Sequence, residues 1–302
     1  MESIVGGVAC VGKPNGRLRS PWVWVAIAGA ILLAAYAPVI RYLVRDWIVD
    51  DNVSHGFFVP LVAGYVAWQK RSELRSIELA PNWWGLVVVV LAALQMYAAT
   101  LGVELFLGRV AFVIAIAGVV LFIGGAKLVR ILAFPLFLLL FMIPIPAILY
   151  NQLTLPLQLF ASKVAEQALT LLGIPVIREG NILELARQRL SVVEACSGIR
   201  SLLSLSFLSL VYAYLFDRKV WMRGVLFVAT VPIAVLANAS RVTLSGILSE
   251  YDPEAATGAL HLAEGWVVFM VSLGILVATH ATVNLGYRAW RSVRNSGTGS
   301  GG

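Results

Sequence analysis

The sequence predicts an all-α polytopic membrane protein, and three observations predict it. Of its 302 residues 60% are hydrophobic and only 13% charged, against roughly 25% charged in an ordinary soluble domain. The mean hydropathy is +0.86. The apolar residues also run unbroken, as over 86–93 and 110–123. A soluble fold of this length has no means of hiding so much apolar surface, so a soluble enzyme is excluded. Disorder is excluded because disordered chains are poor in apolar residues and rich in charge. An outer-membrane barrel would alternate apolar and polar residues over about ten positions, which these runs do not.

A helical span needs about 20 apolar residues. Eight stretches qualify: 22–40, 56–68, 84–101, 107–123, 129–149, 197–216, 224–242 and 264–285. The second is short, and the fifth is interrupted by Pro135, Pro144 and Pro146. Prolines are tolerated in membrane helices where neighbours satisfy the freed backbone. Residues 1–21 read as a cytoplasmic tail, 22–287 as one membrane-embedded domain, and 288–302 as a second cytoplasmic tail. The tail ends in a Gly/Ser stretch that looks like a linker remnant. No cleavable signal peptide is evident, because the first apolar run is itself of spanning length.

Charge sets the orientation. The net charge is +7, and in a membrane protein Lys and Arg collect in short cytoplasmic loops. With the N-terminus inside, the inner segments hold Lys13, Arg17 and Arg19, then Lys70, Arg71 and Arg75, then Lys127 and Arg130, then Arg218, Lys219 and Arg223, and finally Arg288, Arg291 and Arg294. Most acidic residues fall on the other side. Both termini are therefore expected in the cytoplasm. The basic balance thus has a topological cause, and no nucleic-acid partner is expected.

The largest outer segment is about 150–195. Its first half, 152–172, has helical period and is partly amphipathic through Lys163, Glu166 and Gln167, as for a helix lying on the membrane. Its second half is strand-like. Ile174-Pro-Val-Ile, Ile182-Leu-Glu-Leu and Leu190-Ser-Val-Val flank a Gly180-Asn181 turn, so a small β-hairpin is expected before the sixth span.

That hairpin leads to Val193-Glu194-Ala195-Cys196-Ser197-Gly198-Ile199-Arg200. Cys196 falls at the outer mouth of the sixth span. A helix N-terminus favours an anion, and Arg200 lies one turn on. Both favour a thiolate, the nucleophilic form. Arg241, in Ala237-Asn238-Ala239-Ser240-Arg241, falls near the outer end of the seventh span, where an ionisable residue reads as functional. Asn238 is on the same face. His261 precedes Glu264-Gly265-Trp266 at the outer mouth of the eighth span, and histidine is the usual acid or base near neutral pH.

Taken singly, each has a plainer reading: a small buried thiol, a snorkelling arginine, an interfacial histidine. Together they sit on three spans at one leaflet. A thiol, a fixed cation and a proton carrier are the parts of cysteine acyl transfer. His55, in Asp50-Asp51-Asn52-Val53-Ser54-His55-Gly56, is an alternative base or lines the way in for substrate. One histidine beside two carboxylates is a weak metal signal, and no metal or cofactor is expected. His280, deep in the last span, reads as a packing residue. Glu104 reads as a solvated loop charge.

At these residues the sequence resembles the exosortase/archaeosortase family of membrane sorting enzymes. The likeness rests on Glu194-Ala-Cys196-Ser-Gly-Ile-Arg200-Ser, Ala237-Asn238-Ala-Ser-Arg241, His261 with Glu264-Gly-Trp266, and Ser54-His55-Gly56-Phe-Phe-Val-Pro60. It covers the chain from about Trp22 to about Arg291. It implies cleavage of secreted proteins that carry a C-terminal signal, made of a Pro-Glu-Pro-like motif, a membrane helix and a basic end. It implies a cysteine at Cys196, an arginine at Arg241 and a histidine at His261 as the catalytic set; Arg200, Asn238, His55 and Glu194, by their positions in these segments, are the candidates for supporting roles. Histidine in the last place points to the bacterial branch, hence to an inner membrane with the site on its outer face. Archaeal relatives carry arginine there. The competing readings are a transporter or a membrane component of exopolysaccharide synthesis or export, and a scaffold that binds signal-bearing proteins without cutting them. A transporter would distribute ionisable residues along a path through the middle of the bilayer. Here they gather at one mouth.

Overall fold

The computed structural model describes residues 21–186, 188–192, 198–217, 219–251 and 259–297. In chain order the helices are α1 (Pro21–Ala35), α2 (Ala37–Val49), α3 (Phe58–Gln69), α4 (Arg71–Ser76), α5 (Trp84–Leu101), α6 (Leu105–Leu138), α7 (Ala147–Leu171), α8 (Gly198–Phe216), α9 (Val220–Tyr251) and α10 (Ala259–Gly297). Two 3₁₀ turns, Asp51–Phe57 and Leu139–Met142, follow α2 and α6. The chain is an all-α polytopic membrane protein.

Among the described residues four helices are long and apolar enough to cross a membrane, or five if α1 and α2, bent by 70°, form one span. Three of the expected stretches differ for visible reasons. The second becomes α3, only 12 residues long. The fourth and fifth run together through α6, which is broken at Gly125. There φ is +69°, a left-handed conformation that glycine adopts without the steric penalty of a Cβ.

The chain divides into two compact units, one of residues 1–42 and 72–132 and one of residues 43–71 and 133–302. In the first, α5 starts where the Asn82 carboxamide caps the Trp84 N–H at 2.9 Å. All the residues expected to do chemistry belong to the second.

The second unit is organised around α9. It packs against α7, α8 and α10. Between lipid-exposed helices there is little hydrophobic drive, so association relies on close packing of small residues and on polar contacts. Ala213, Ala234 and Ala239 are buried at these seams, and Ser206 shares a 3.2 Å hydrogen bond with Thr230 across α8 and α9. The hydroxyls of Ser240, Thr243 and Ser249 donate to carbonyls four residues back. They therefore need no water. Large apolar side chains face outward instead, including Val267, Val271 and Ile275 on α10.

The segment expected to lie on the surface as an amphipathic helix is α7. Its buried face, Thr154, Gln158, Ala161, Ala165 and Leu169, follows helical spacing. Three short strands follow, β1 (Val176–Glu179), β2 (Ile182–Leu185) and β3 (Arg189–Ser191). They pair antiparallel in the order β1-β2-β3, one strand more than a hairpin. The β1–β2 register pairs Glu179 with Ile182, leaving Gly180-Asn181 as a two-residue turn with Gly180 at φ +64°. Leu183, Leu185, Leu190 and Val192 close over Ala161, Leu169 and Val242. This core ties the sheet to α7 and α9.

His280 is not the simple packing residue expected from its apolar neighbours in sequence. Its Nε2 lies 3.1 Å from Asp217 Oδ2, and its Nδ1 lies 2.9 Å from the Tyr212 hydroxyl. With the proton on Nε2 the imidazole donates to Asp217 and accepts from Tyr212. Asn284 Nδ2 also donates to Asp217 Oδ2, and the Lys219 backbone N–H donates to Oδ1. Asp217, 7% exposed, thus ties the α8–α9 turn to α10. Periodicity places a residue on a face but does not reveal a carboxylate arriving 63 residues away.

Burial alone would raise the Asp217 pKa. The hydrogen bonds from Lys219, His280 and Asn284, with the Lys219 charge, outweigh it and leave the carboxyl below its usual value. A depressed folded pKa means stability that is present above the unfolded carboxylate pKa and is lost as pH falls through the folded one. Asp217→Asn should therefore lower the thermal unfolding temperature at pH 7, by an amount worth about 1–3 kcal/mol. The gap to the native chain should narrow below about pH 4. Unfolding scans in detergent from pH 7 to pH 3 check this; a gap constant with pH would refute it.

Candidate functional site

Arg241 stands in the second half of α9, half-buried. Facing it on α10 is Gly265. A Cβ added to Gly265 would stand 3.2 Å from Arg241 Cζ and 3.3 Å from one terminal guanidinium nitrogen. Glycine therefore lets the guanidinium lie against the α10 backbone. One residue earlier, Glu264 Oε2 accepts a 3.0 Å hydrogen bond from Ser245 Oγ of α9. Ser245 is buried and sits one turn beyond Arg241. The Glu264-Gly265 segment thus meets α9 at the arginine and one turn beyond it.

Arg241 opens into a cleft of about 260 Å³. Ser54 lines it from the first 3₁₀ turn, Arg200 and Ser204 from α8, and Gly265, Trp266 and Phe269 from α10. Two guanidinium groups therefore share one cleft, with serine hydroxyls around them and an exposed indole at the rim. The arrangement can hold an anion, or a carbonyl oxygen that becomes one.

Arg200 does more than line the wall. Its Nε lies 3.4 Å from Asn52 Oδ1, and a terminal nitrogen lies 3.7 Å from Asp51 Oδ2. The side chains of that ion pair are 42% and 79% exposed, so it contributes well under about 1 kcal/mol. Its effect is to aim the guanidinium across from α8 to the Asp51–Phe57 turn. The Tyr150 phenol stands in the same neighbourhood. Burial raises its pKa, the Asp50 charge adds to that, and Arg200 opposes it.

The Asp51–Phe57 turn is rigidly held. The Asp50 carboxylate caps its first turn through the Asn52 N–H at 2.9 Å. A side chain on Gly56 would fall inside the Trp47 indole, whose Nε1 donates to the Met142 carbonyl at 3.0 Å. His55 lies within this turn, half-buried, and Ser54 rather than His55 lines the cleft. Burial lowers the His55 pKa, partly offset by a hydrogen bond to the Phe141 backbone. Its Nδ1 is buried with no hydrogen-bond partner among the described residues.

The sequence-predicted residues thus divide. Arg241 and Arg200 come together in one cleft. Asn238 is buried on α9 but lines a separate narrow crevice with Leu157 and Leu202. His261 lies in the first turn of α10, and its side chain falls outside the described residues. Cys196 and Glu194 also fall outside them. They belong to the five-residue link between Val192 after β3 and Gly198 at the start of α8.

Sequence reasoning missed Ser54, Ser204, Phe269 and the Asn52–Arg200 contact. That contact joins residues 148 positions apart, and no local signal announces it. The Gly265 role was legible in principle. A glycine beside a charged residue, in a helix otherwise free to use alanine, marks a close approach.

One comparison with known proteins is positive. A family model described as transmembrane exosortase matches residues 47–278, which include every residue named in this cleft. No curated protein and no solved structure matches.

Proposed function

Because the chain belongs to the transmembrane exosortase family, we propose that it is a membrane-embedded cysteine peptidase or transpeptidase that removes the C-terminal sorting signal of secreted proteins. Its catalytic set is Cys196, Arg241 and His261. Its substrates carry a Pro-Glu-Pro-type motif, a membrane helix and a basic tail. It works in a bacterial inner membrane with both termini cytoplasmic and the cleft on the outer side.

The observation that carries this reading is the paired-arginine cleft, with Gly265 making room for the Arg241 guanidinium. Chain length supports it as well. Cys196 precedes Arg200 by four residues, a reach of at most about 14 Å even when fully extended. His261 precedes Glu264, which is bonded to α9 beside Arg241, by less than one helical turn.

The substrate helix enters laterally between spans and presents its scissile bond at the cleft. The Cys196 thiolate attacks the carbonyl carbon, and the C–N bond breaks to give a thioester. Arg241 stabilises the thiolate and then the oxyanion. His261 gives its proton to the leaving amine. Water or an envelope amine then attacks the thioester and regenerates the thiol, giving hydrolysis or transpeptidation respectively. Arg200 and the serines hold the substrate backbone and any acidic side chain beside it.

Co-expression with a tagged substrate bearing such a signal tests this reading. The tag should shift to a smaller product on a gel only when the chain is present. An unchanged substrate across a range of such signals would favour the scaffold or transporter readings.

A second test follows from Gly265. Gly265→Ala should lower cleavage about tenfold by displacing the guanidinium a few tenths of an ångström. Gly265→Leu should lower it about 10²-fold or more, as misplacements near 1 Å do. Cleavage rates in membranes, set beside the thermal unfolding of each variant, check this. Undiminished cleavage by the Leu variant would remove Arg241 from the mechanism.

A further inference from the structure

The second concentration of polar side chains lies at the other end of the same helices. α8 runs 19 residues from Gly198 to Phe216, about 28 Å at 1.5 Å per residue, and Asp217 follows at the end away from Arg200. Its carboxylate is spent on the Lys219 N–H, His280 and Asn284, and its backbone carbonyl accepts from Arg223 at 3.1 Å. The turn is thereby held against α10, with the half-buried Lys219 side chain fixed beside it. Lys219 Nζ donates to Asn284 Oδ1 at 2.6 Å and stands 4.5 Å from the Tyr287 ring centre. Arg291 approaches the same ring, at 5.6 Å. Tyr287 in turn lies between Trp221 and Trp290, with ring centres 5.3 and 6.3 Å away.

Two cations therefore share one aromatic ring. Among the described residues neither the Lys219 ammonium nor the Arg291 guanidinium has a carboxylate within ion-pairing distance. The ring faces hold both cations, and Asn284 Oδ1 and the Asp217 charge partly satisfy Lys219. An anionic group reaching both would supply a countercharge, and the conformational entropy of holding Lys219 in place has already been lost on folding. The surroundings indicate which anion. Trp221 and Trp290 are 41% and 55% exposed, as aromatic residues are at a membrane boundary. Further along the same helices α9 and α10 present exposed Val228 and Leu285, apolar surface that acyl chains can cover.

We propose that Lys219 and Arg291, framed by Trp221, Tyr287 and Trp290, form a binding site for the phosphate of an anionic phospholipid. The site is separate from the Arg241 cleft and does not rest on the peptidase reading.

The test uses the full chain purified in detergent and titrated with phosphatidylglycerol or phosphatidylcholine of the same acyl chains. Retained lipid is counted by native mass spectrometry. Phosphatidylglycerol should be retained at least about tenfold better, and Lys219→Gln and Arg291→Gln should each cut that preference about fivefold. Inorganic phosphate at equal concentration should not displace the lipid. Arg291 is exposed on the last helix, so its variant decides the matter even if Lys219→Gln disturbs the α8–α9 turn. Equal retention of the two lipids, or a preference undiminished in Arg291→Gln, would overturn the proposal. Displacement by inorganic phosphate would overturn it in favour of a free-anion site.

Discussion

Cys196→Ala should reduce cleavage of a signal-bearing substrate to background, a loss of at least about 10³-fold. The amount of protein in the membrane and its thermal unfolding should stay unchanged. The expectation rests on chemistry. No other group in the proposed set can form the acyl-enzyme, since Arg241 is a cation and His261 is assigned to the proton. Cys196→Ser keeps the size of the side chain but replaces the thiol with a hydroxyl that this site has no means of ionising near pH 7. It should fall nearly as far. Cleavage rates measured in membranes for the native chain and both variants, with unfolding temperatures beside them, decide the point.

Arg241→Ala should lower cleavage by about 10²–10³-fold, the range seen when one oxyanion donor is removed. Arg241→Lys should recover only part of this. Lysine keeps the charge but not the planar fork, and its ammonium has no reason to lie flat over Gly265 as the guanidinium does. The loss should fall on the turnover rate rather than on substrate affinity, because the developing charge exists only in the transition state. Single-turnover rates across a substrate titration separate the two. An effect confined to affinity would move Arg241 into substrate binding beside Arg200.

The membrane class was legible because it depends on composition and on the length of apolar runs, which need no knowledge of contacts. Charge and depth set Cys196, Arg241 and His261 at one level; of the residues singled out there the structure brings Arg241 and Arg200 into one cleft, while Cys196 and the His261 side chain lie outside the described residues. Boundaries were less legible. Apolarity alone does not show that Gly125 takes a left-handed φ and breaks a run of 34 residues, nor that α3 stops after 12. Long-range polar pairings were not legible at all. Arg200 meets Asn52 and His280 meets Asp217 because helices cross, and no window of sequence contains both partners. His280 was misread for that reason: among Ala and Thr it looks apolar, while its partners come from another helix and its turn. Asn238 shares a face with Arg241 by spacing, yet opens into a different crevice, since three residues along a helix turn a side chain by about 60° from its neighbour.

The most direct test of the central claim is to trap the intermediate. Membranes containing the native chain and a tagged signal-bearing substrate are quenched with acid during turnover, and the peptide containing Cys196 is examined by mass spectrometry. The account predicts a thioester on Cys196 carrying the substrate portion upstream of the scissile bond. The adduct should be released by hydroxylamine and absent from Cys196→Ala. Cleavage that proceeds with no adduct on Cys196, or an adduct that persists in Cys196→Ala, would contradict it.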